Sequence, residues 1–187
     1  MLVTDVLVTA QGSMLTRWRW TITAAFGLGG IAITAWGPRL PAIKASLGIG
    51  TAVIGLLLAG VTVGGILGLF VSAPVLRWLG SRRTVTGALL VMTAAMAVMG
   101  LALILGSVPL LAVAFVIVGL AIGVLDVVIN VEGAAIELAA DRTLMPMMHA
   151  AWSVGAAVGS GIGAACAALG IAPSAQLLAE AVLIAAV

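Results

Sequence analysis

The sequence predicts an all-α membrane protein built as a bundle of six transmembrane helices. Three observations carry this reading. Of the 187 residues, 64% are hydrophobic and 7% are charged, whereas soluble domains carry about 25% charged residues. Mean hydropathy is +1.35, so these residues cannot build a water-facing surface. Apolar stretches near the length of about 20 residues that crosses a bilayer recur at 20–36, 52–76, 85–105, 110–130 and 147–169, with a partial one at 173–187.

The breaks between stretches follow in order. Residues 1–17 read as a cytoplasmic tail, and 18–187 as one transmembrane domain. The start, MLVTDVLVTAQGS, carries Asp5 and no positive n-region, so it does not read as a cleaved signal. Met14 is an alternative start, since MLTRWRW is a fitting lead-in to a first span. Gly37-Pro38-Arg39 and Pro41 end the first helix, and Leu79-Gly80-Ser81-Arg82-Arg83 divides the second from the third. Gly106-Ser107-Val108-Pro109 makes a tight turn. Pro146 precedes the fifth helix, where an early proline is tolerated. Gly170 and Pro173 form the last turn.

The sixth stretch, 15 residues long, makes about 22 Å of helix against a hydrocarbon core of about 30 Å. It reads as a helix cut before its end, the alternative being a short, tilted last helix.

Arginine and lysine set the orientation. With the amino terminus inside, the inner segments hold Arg17, Arg19, Arg77, Arg82, Arg83 and Arg142, and the outer ones hold Arg39 and Lys44. The bias places the amino terminus in the cytoplasm. The formal charge of +2 is spread over these anchors, so no nucleic-acid surface is expected. Cys166 is the single cysteine, which excludes an internal disulfide and a cysteine metal cluster. No metal, cofactor or nucleotide loop is expected.

Asp126 is the outstanding residue. It lies in a run that is otherwise apolar enough to span a membrane, where a carboxylate costs about 2.5–3.5 kcal/mol on insertion scales. A cost of that size points to a substrate or proton pathway. The residue sits about 24 Å along the helix from Leu110, toward the inner side of the bilayer. Residues three, four, seven and eleven apart share a helix face. That rule aligns Gly119, Gly123, Asp126, Asn130, Gly133 and Glu137, with Glu132 off the stripe.

On the fifth helix His149, Ser153, Ala156 and Ser160 share one face, and Gly155, Gly159 and Gly163 another at close-packing spacing. Gly60, Gly64 and Gly68 repeat that spacing on the second helix. On the first, Thr23, Gly27, Gly30 and Thr34 form a small polar stripe, which either lines a cavity or bonds back to its own helix. His149 is a candidate partner for Asp126. Glu180, roughly 10 Å into the sixth helix, receives no role.

The segment Ala73-Pro74-Val75-Leu76-Arg77-Trp78-Leu79-Gly80-Ser81-Arg82-Arg83 resembles the signature loop Gly-x-x-x-Asp-Arg-x-Gly-Arg-Arg of the major facilitator superfamily. Gly80, Arg82 and Arg83 carry the match. Ala73 replaces the leading glycine, and Arg77 replaces an aspartate that helps latch the two halves in that family. Asp126-Val-Val-Ile-Asn130, followed by Glu137, Met145, His149, Trp152-Ser153 and Gly155, resembles a bacterial branch near the fucose permeases. Trp36-Gly-Pro-Arg39-Leu-Pro41-Ala-Ile-Lys44 resembles the first external loop of that branch.

The resemblance covers about residues 18–187 and implies the amino-terminal half of a twelve-helix transporter in the bacterial inner membrane. It implies alternating access between two rocking halves, with the first and fourth helices on the central cavity. The missing carboxyl-terminal half, the lipid bilayer, a small solute and protons are the implied partners. Asp126, Asn130, His149, Ser153, Thr23 and Thr34 are then the expected pathway residues.

Two other readings compete. A six-helix protein acting as a homo-oligomeric channel or scaffold would use the glycine faces for self-association. An intramembrane serine protease needs a serine and a histidine on different helices. His149 is the single histidine, and Ser153 and Ser160 share its helix, so an enzyme is not expected.

Overall fold

The computed structural model describes residues 2–186, and their side chains from residue 12 onward. Those residues are helical almost throughout. Helix α1 spans Leu2–Thr34, a short 3-10 turn spans Gly37–Arg39, and α2 spans Leu40–Leu47. Then come α3 at Thr51–Ile104, α4 at Val108–Ala140, α5 at Met145–Ala168 and α6 at Pro173–Ala185. Helix α1 runs without a break from Leu2 through the first apolar stretch.

Among the described residues, four stretches are long and apolar enough to cross a membrane by length and composition: Gly12–Leu47, Thr51–Ile104, Val108–Ala140 and Met145–Ala168. The protein is an integral membrane protein. Helix α3 is twice the needed length and folds back at Gly80, whose φ of 73° and ψ of 165° lie outside the helical region. A positive φ of this kind is open to glycine at little cost. Val71, Val75 and Leu79 before the bend line the same groove as Thr84, Gly87 and Val91 after it. The two arms therefore run side by side, as the second and third helices of the bundle. The bend forms one end of the bundle, and the Gly37–Leu47 segment lies at the other.

Glycines bring the helices together. A Cβ on Gly64 would collide with the Val116 carbonyl, and one on Gly68 with the Leu120 carbonyl, so the first arm of α3 lies backbone to backbone on α4. Gly155, Gly159 and Gly163 meet the carbonyls of Gly27, Ile31 and Ala35 in the same way, which seats α5 on α1. In lipid the tails are as apolar as leucine, so such close packing takes the place of a hydrophobic driving force. The core between the pairs holds Phe26, Met92, Met96, Met99, Leu111, Phe115, Leu125 and Ile129, each at most 2% exposed. The Trp36 and Phe115 rings meet edge-on at 5.1 Å. Large apolar side chains such as Leu56, Phe70, Leu138 and Val182 point outward, as a lipid-facing surface requires.

Candidate pathway wall

Asp126 is exposed on α4, about four turns before the helix ends at Ala140. Its carboxylate oxygen Oδ1 accepts from Asn130 Nδ2 at 3.2 Å, and the same amide nitrogen donates to the Asp126 carbonyl at 2.8 Å. The four-residue spacing thus makes an acid–amide pair on one face, set by helix geometry alone. Leu125 beside it is buried and reaches Gly29 of α1, and Trp152 of α5 reaches the same glycine. Asp126 therefore shares a level of the bundle with the residues flanking Trp152.

Those residues include His149 and Ser153, both exposed. The His149 ring lies 5.2 Å from the Phe26 ring, and its Nδ1 is 3.0 Å from the Met145 carbonyl. The Ser153 hydroxyl donates to the His149 carbonyl at 3.1 Å. The polar groups of α5 are thus tied to their own helix and leave their outer faces open. His149 is not bonded to Asp126: among the described residues the carboxylate is bonded by Asn130.

The stripe expected on α4 is not one surface. Gly119 and Gly123 are buried against Val61 and Gly65 of α3, and Gly133 against the sulfurs of Met145 and Met148. Asp126 and Asn130 alone keep an open side between these seams. Glu137 ends the stripe as a cap: its Oε2 accepts from the backbone N–H groups of Leu144 and Met145, at 2.7 and 2.8 Å. These are donors that the first turn of α5 leaves without a helical partner.

On the α1 stripe the threonines bond back to their own helix, the second of the two readings its sequence left open. Thr23 is buried and donates to the Arg19 carbonyl at 2.8 Å. Thr34 donates to the carbonyls of Gly30, at 2.9 Å, and Ala156, at 2.8 Å. Gly30 and Gly27 lie against α5. This face is a helix seam, because α5 presents glycine opposite it and the backbones close up.

Glu132 is the residue that face counting passed over. It is 9% exposed. Its carboxylate accepts from Trp18 Nε1 at 2.8 Å and from the Ser81 hydroxyl. One acid so joins α1, α4 and the Gly80 bend, beside an open recess of about 700 Å³ lined by Arg17, Thr21 and Arg82. Arg82 and Arg83 are themselves exposed.

The site thus brings an exposed acid and its amide neighbour on α4 to the level of two exposed polar residues of α5, on helices packed by glycine. The chain is similar to an MFS-type transporter. An uncharacterised protein of that description from Yersinia pestis is 30% identical over 161 residues, which is 85% of this chain and 41% of the relative. An uncharacterised transporter of Sinorhizobium fredii is 29% identical over 147 residues, 79% of this chain and 38% of the relative. The chain thus spans about two fifths of the length of the curated relatives it matches. Both are described as transporters, not enzymes. No family model and no solved structure matches the chain.

Proposed function

We propose that this chain forms the amino-terminal six-helix half of a major facilitator-type secondary transporter, with one wall of its solute pathway on α4 and α5. The observation that carries this reading is the exposed Asp126, paired with half-buried Asn130 at the level of His149 and Ser153, on a bundle whose other exposed side chains are largely apolar. A carboxylate that must sit in a membrane is stable where it meets water or a polar solute, so this face borders a water-filled path. Asp126 is the proton-linked or solute-binding acid and Asn130 its hydrogen-bonding neighbour. A second six-helix half supplies the facing wall, and the two rock about the site. The six-to-two arginine and lysine bias supports a cytoplasmic amino terminus in the bacterial inner membrane.

Thiol labelling in the intact protein tests the wall. In a Cys166→Ala background, Asp126→Cys and Ser153→Cys react with a membrane-impermeant maleimide, whereas Val182→Cys, on the apolar surface of α6, does not. Equal protection of all three positions overturns the reading.

A further inference from the structure

At the end of the bundle opposite Gly80, three buried polar side chains meet. Arg39 is 2% exposed, Gln176 is 3% and Glu180 is 6%. Arg39 follows α1 and donates through Nη2 to the Ile171 carbonyl in the turn before α6. Gln176 Nε2 donates to the Ala35 carbonyl at 3.1 Å and to Glu180 Oε1 at 3.0 Å. One edge of each side chain is thereby used.

The other edges have no partner among the described residues. Arg39 keeps Nε and Nη1, Gln176 keeps Oε1, and Glu180 keeps Oε2. Two donor atoms and two acceptor atoms are thus buried together, in side chains of opposite charge. Arg39 acts on Glu180 electrostatically, yet the two make no direct ion pair. Buried polar groups in native proteins are nearly always hydrogen-bonded, and a charge left dry and unpaired is the costliest exception.

The chemistry narrows what completes the cluster. A metal cation is repelled by the guanidinium, and an anion by the carboxylate. A solute of any size is excluded by the burial of all three residues. A small neutral molecule that both donates and accepts remains. We propose that Arg39, Gln176 and Glu180 form an internal water-binding site, in which water accepts from Arg39 and donates to Glu180 and Gln176. Buried water of this kind typically makes about three hydrogen bonds to otherwise unpaired groups. The site is a hydrated clasp: it fastens the end of α1 to the turn before α6 and to α6 itself. It is separate from the Asp126 wall and does not depend on the transport reading.

Two measurements on the intact protein test it. A density map at a resolution that shows ordered water has peaks within hydrogen-bonding distance of both the Arg39 guanidinium and the Glu180 carboxylate. A direct guanidinium–carboxylate contact with no density between overturns the site. Thermal unfolding in detergent supplies the second arm. Arg39→Met and Glu180→Met each lower the midpoint, because each strands the other charge, and the double variant recovers most of the loss. Strictly additive losses overturn the coupling. If a single variant fails to fold, the density map of the unaltered protein still decides.

Discussion

Trp18 donates its indole N–H to Glu132 at 2.8 Å, across 114 residues of sequence. The same carboxylate takes the hydroxyl of Ser81, the residue directly after the Gly80 bend. A single acid thus holds the entry of α1, the last turns of α4 and the reversal of α3 in one arrangement.

Removing that acid strands two donors. Glu132→Leu is expected to cost about 1–2 kcal/mol, because Trp18 and Ser81 are half-buried and water can reach them in part. Trp18→Phe should cost about 1 kcal/mol by itself. In a double-mutant cycle by detergent unfolding the two losses should overlap, and fully additive losses would show that the bond contributes nothing.

The α1–α5 seam depends on the missing side chain of Gly155. Gly155→Ala places a methyl against the Gly27 backbone, which no rotamer change relieves. Overpacking of this kind costs about 1–3 kcal/mol. Gly161→Ala, on the same helix with open space at its Cβ position, should be neutral. A thermal-shift comparison of the two variants checks the contrast, and equal midpoints would count against the seam.

The cap between α4 and α5 predicts a smaller effect. Glu137→Ala releases the N–H groups of Leu144 and Met145 and should lower the unfolding midpoint. Glu137→Gln keeps one accepting oxygen and should lower it less. Indistinguishable midpoints for the two variants would remove the cap from the account.

The transport reading predicts the behaviour of Asp126. In the intact protein, Asp126→Asn should abolish proton-driven uptake while expression and membrane insertion are unchanged, since the residue is exposed and its bond to Asn130 is local. Unaltered pH-dependent uptake would take Asp126 out of the mechanism. Detergent crosslinking of the 187-residue chain separates this from the self-association reading, which requires a stable oligomer held by its glycine faces.

Much of this protein was legible one helix at a time. Hydropathy marked the apolar stretches, because lipid selects on composition, and Gly80, Pro109, Pro146 and Pro173 stood at breaks, because backbone chemistry acts locally. The spacing of Asp126 and Asn130 set their pairing for the same reason. Helix periodicity grouped Gly119 with Asp126 and Thr34 with Thr23, but it did not say which neighbour each face would meet.

That choice belongs to the tertiary structure. Glycine faces on α3 and α5 closed over parts of both stripes, so Gly119, Gly123 and Thr34 became seams and Asp126 stayed open. Glu132 lay off the stripe and gained its role from Trp18 and Ser81, both distant in sequence. Arg39 and Glu180 looked like a loop cation and an unassigned acid until the turn before α6 brought them together. The sequence by itself determined where the apolar stretches lie and where glycine and proline interrupt them, since those properties depend on residues within a turn or two. Only the packing of helices decided which polar groups are buried, bonded or open, because that depends on the shape and backbone of partners far along the chain.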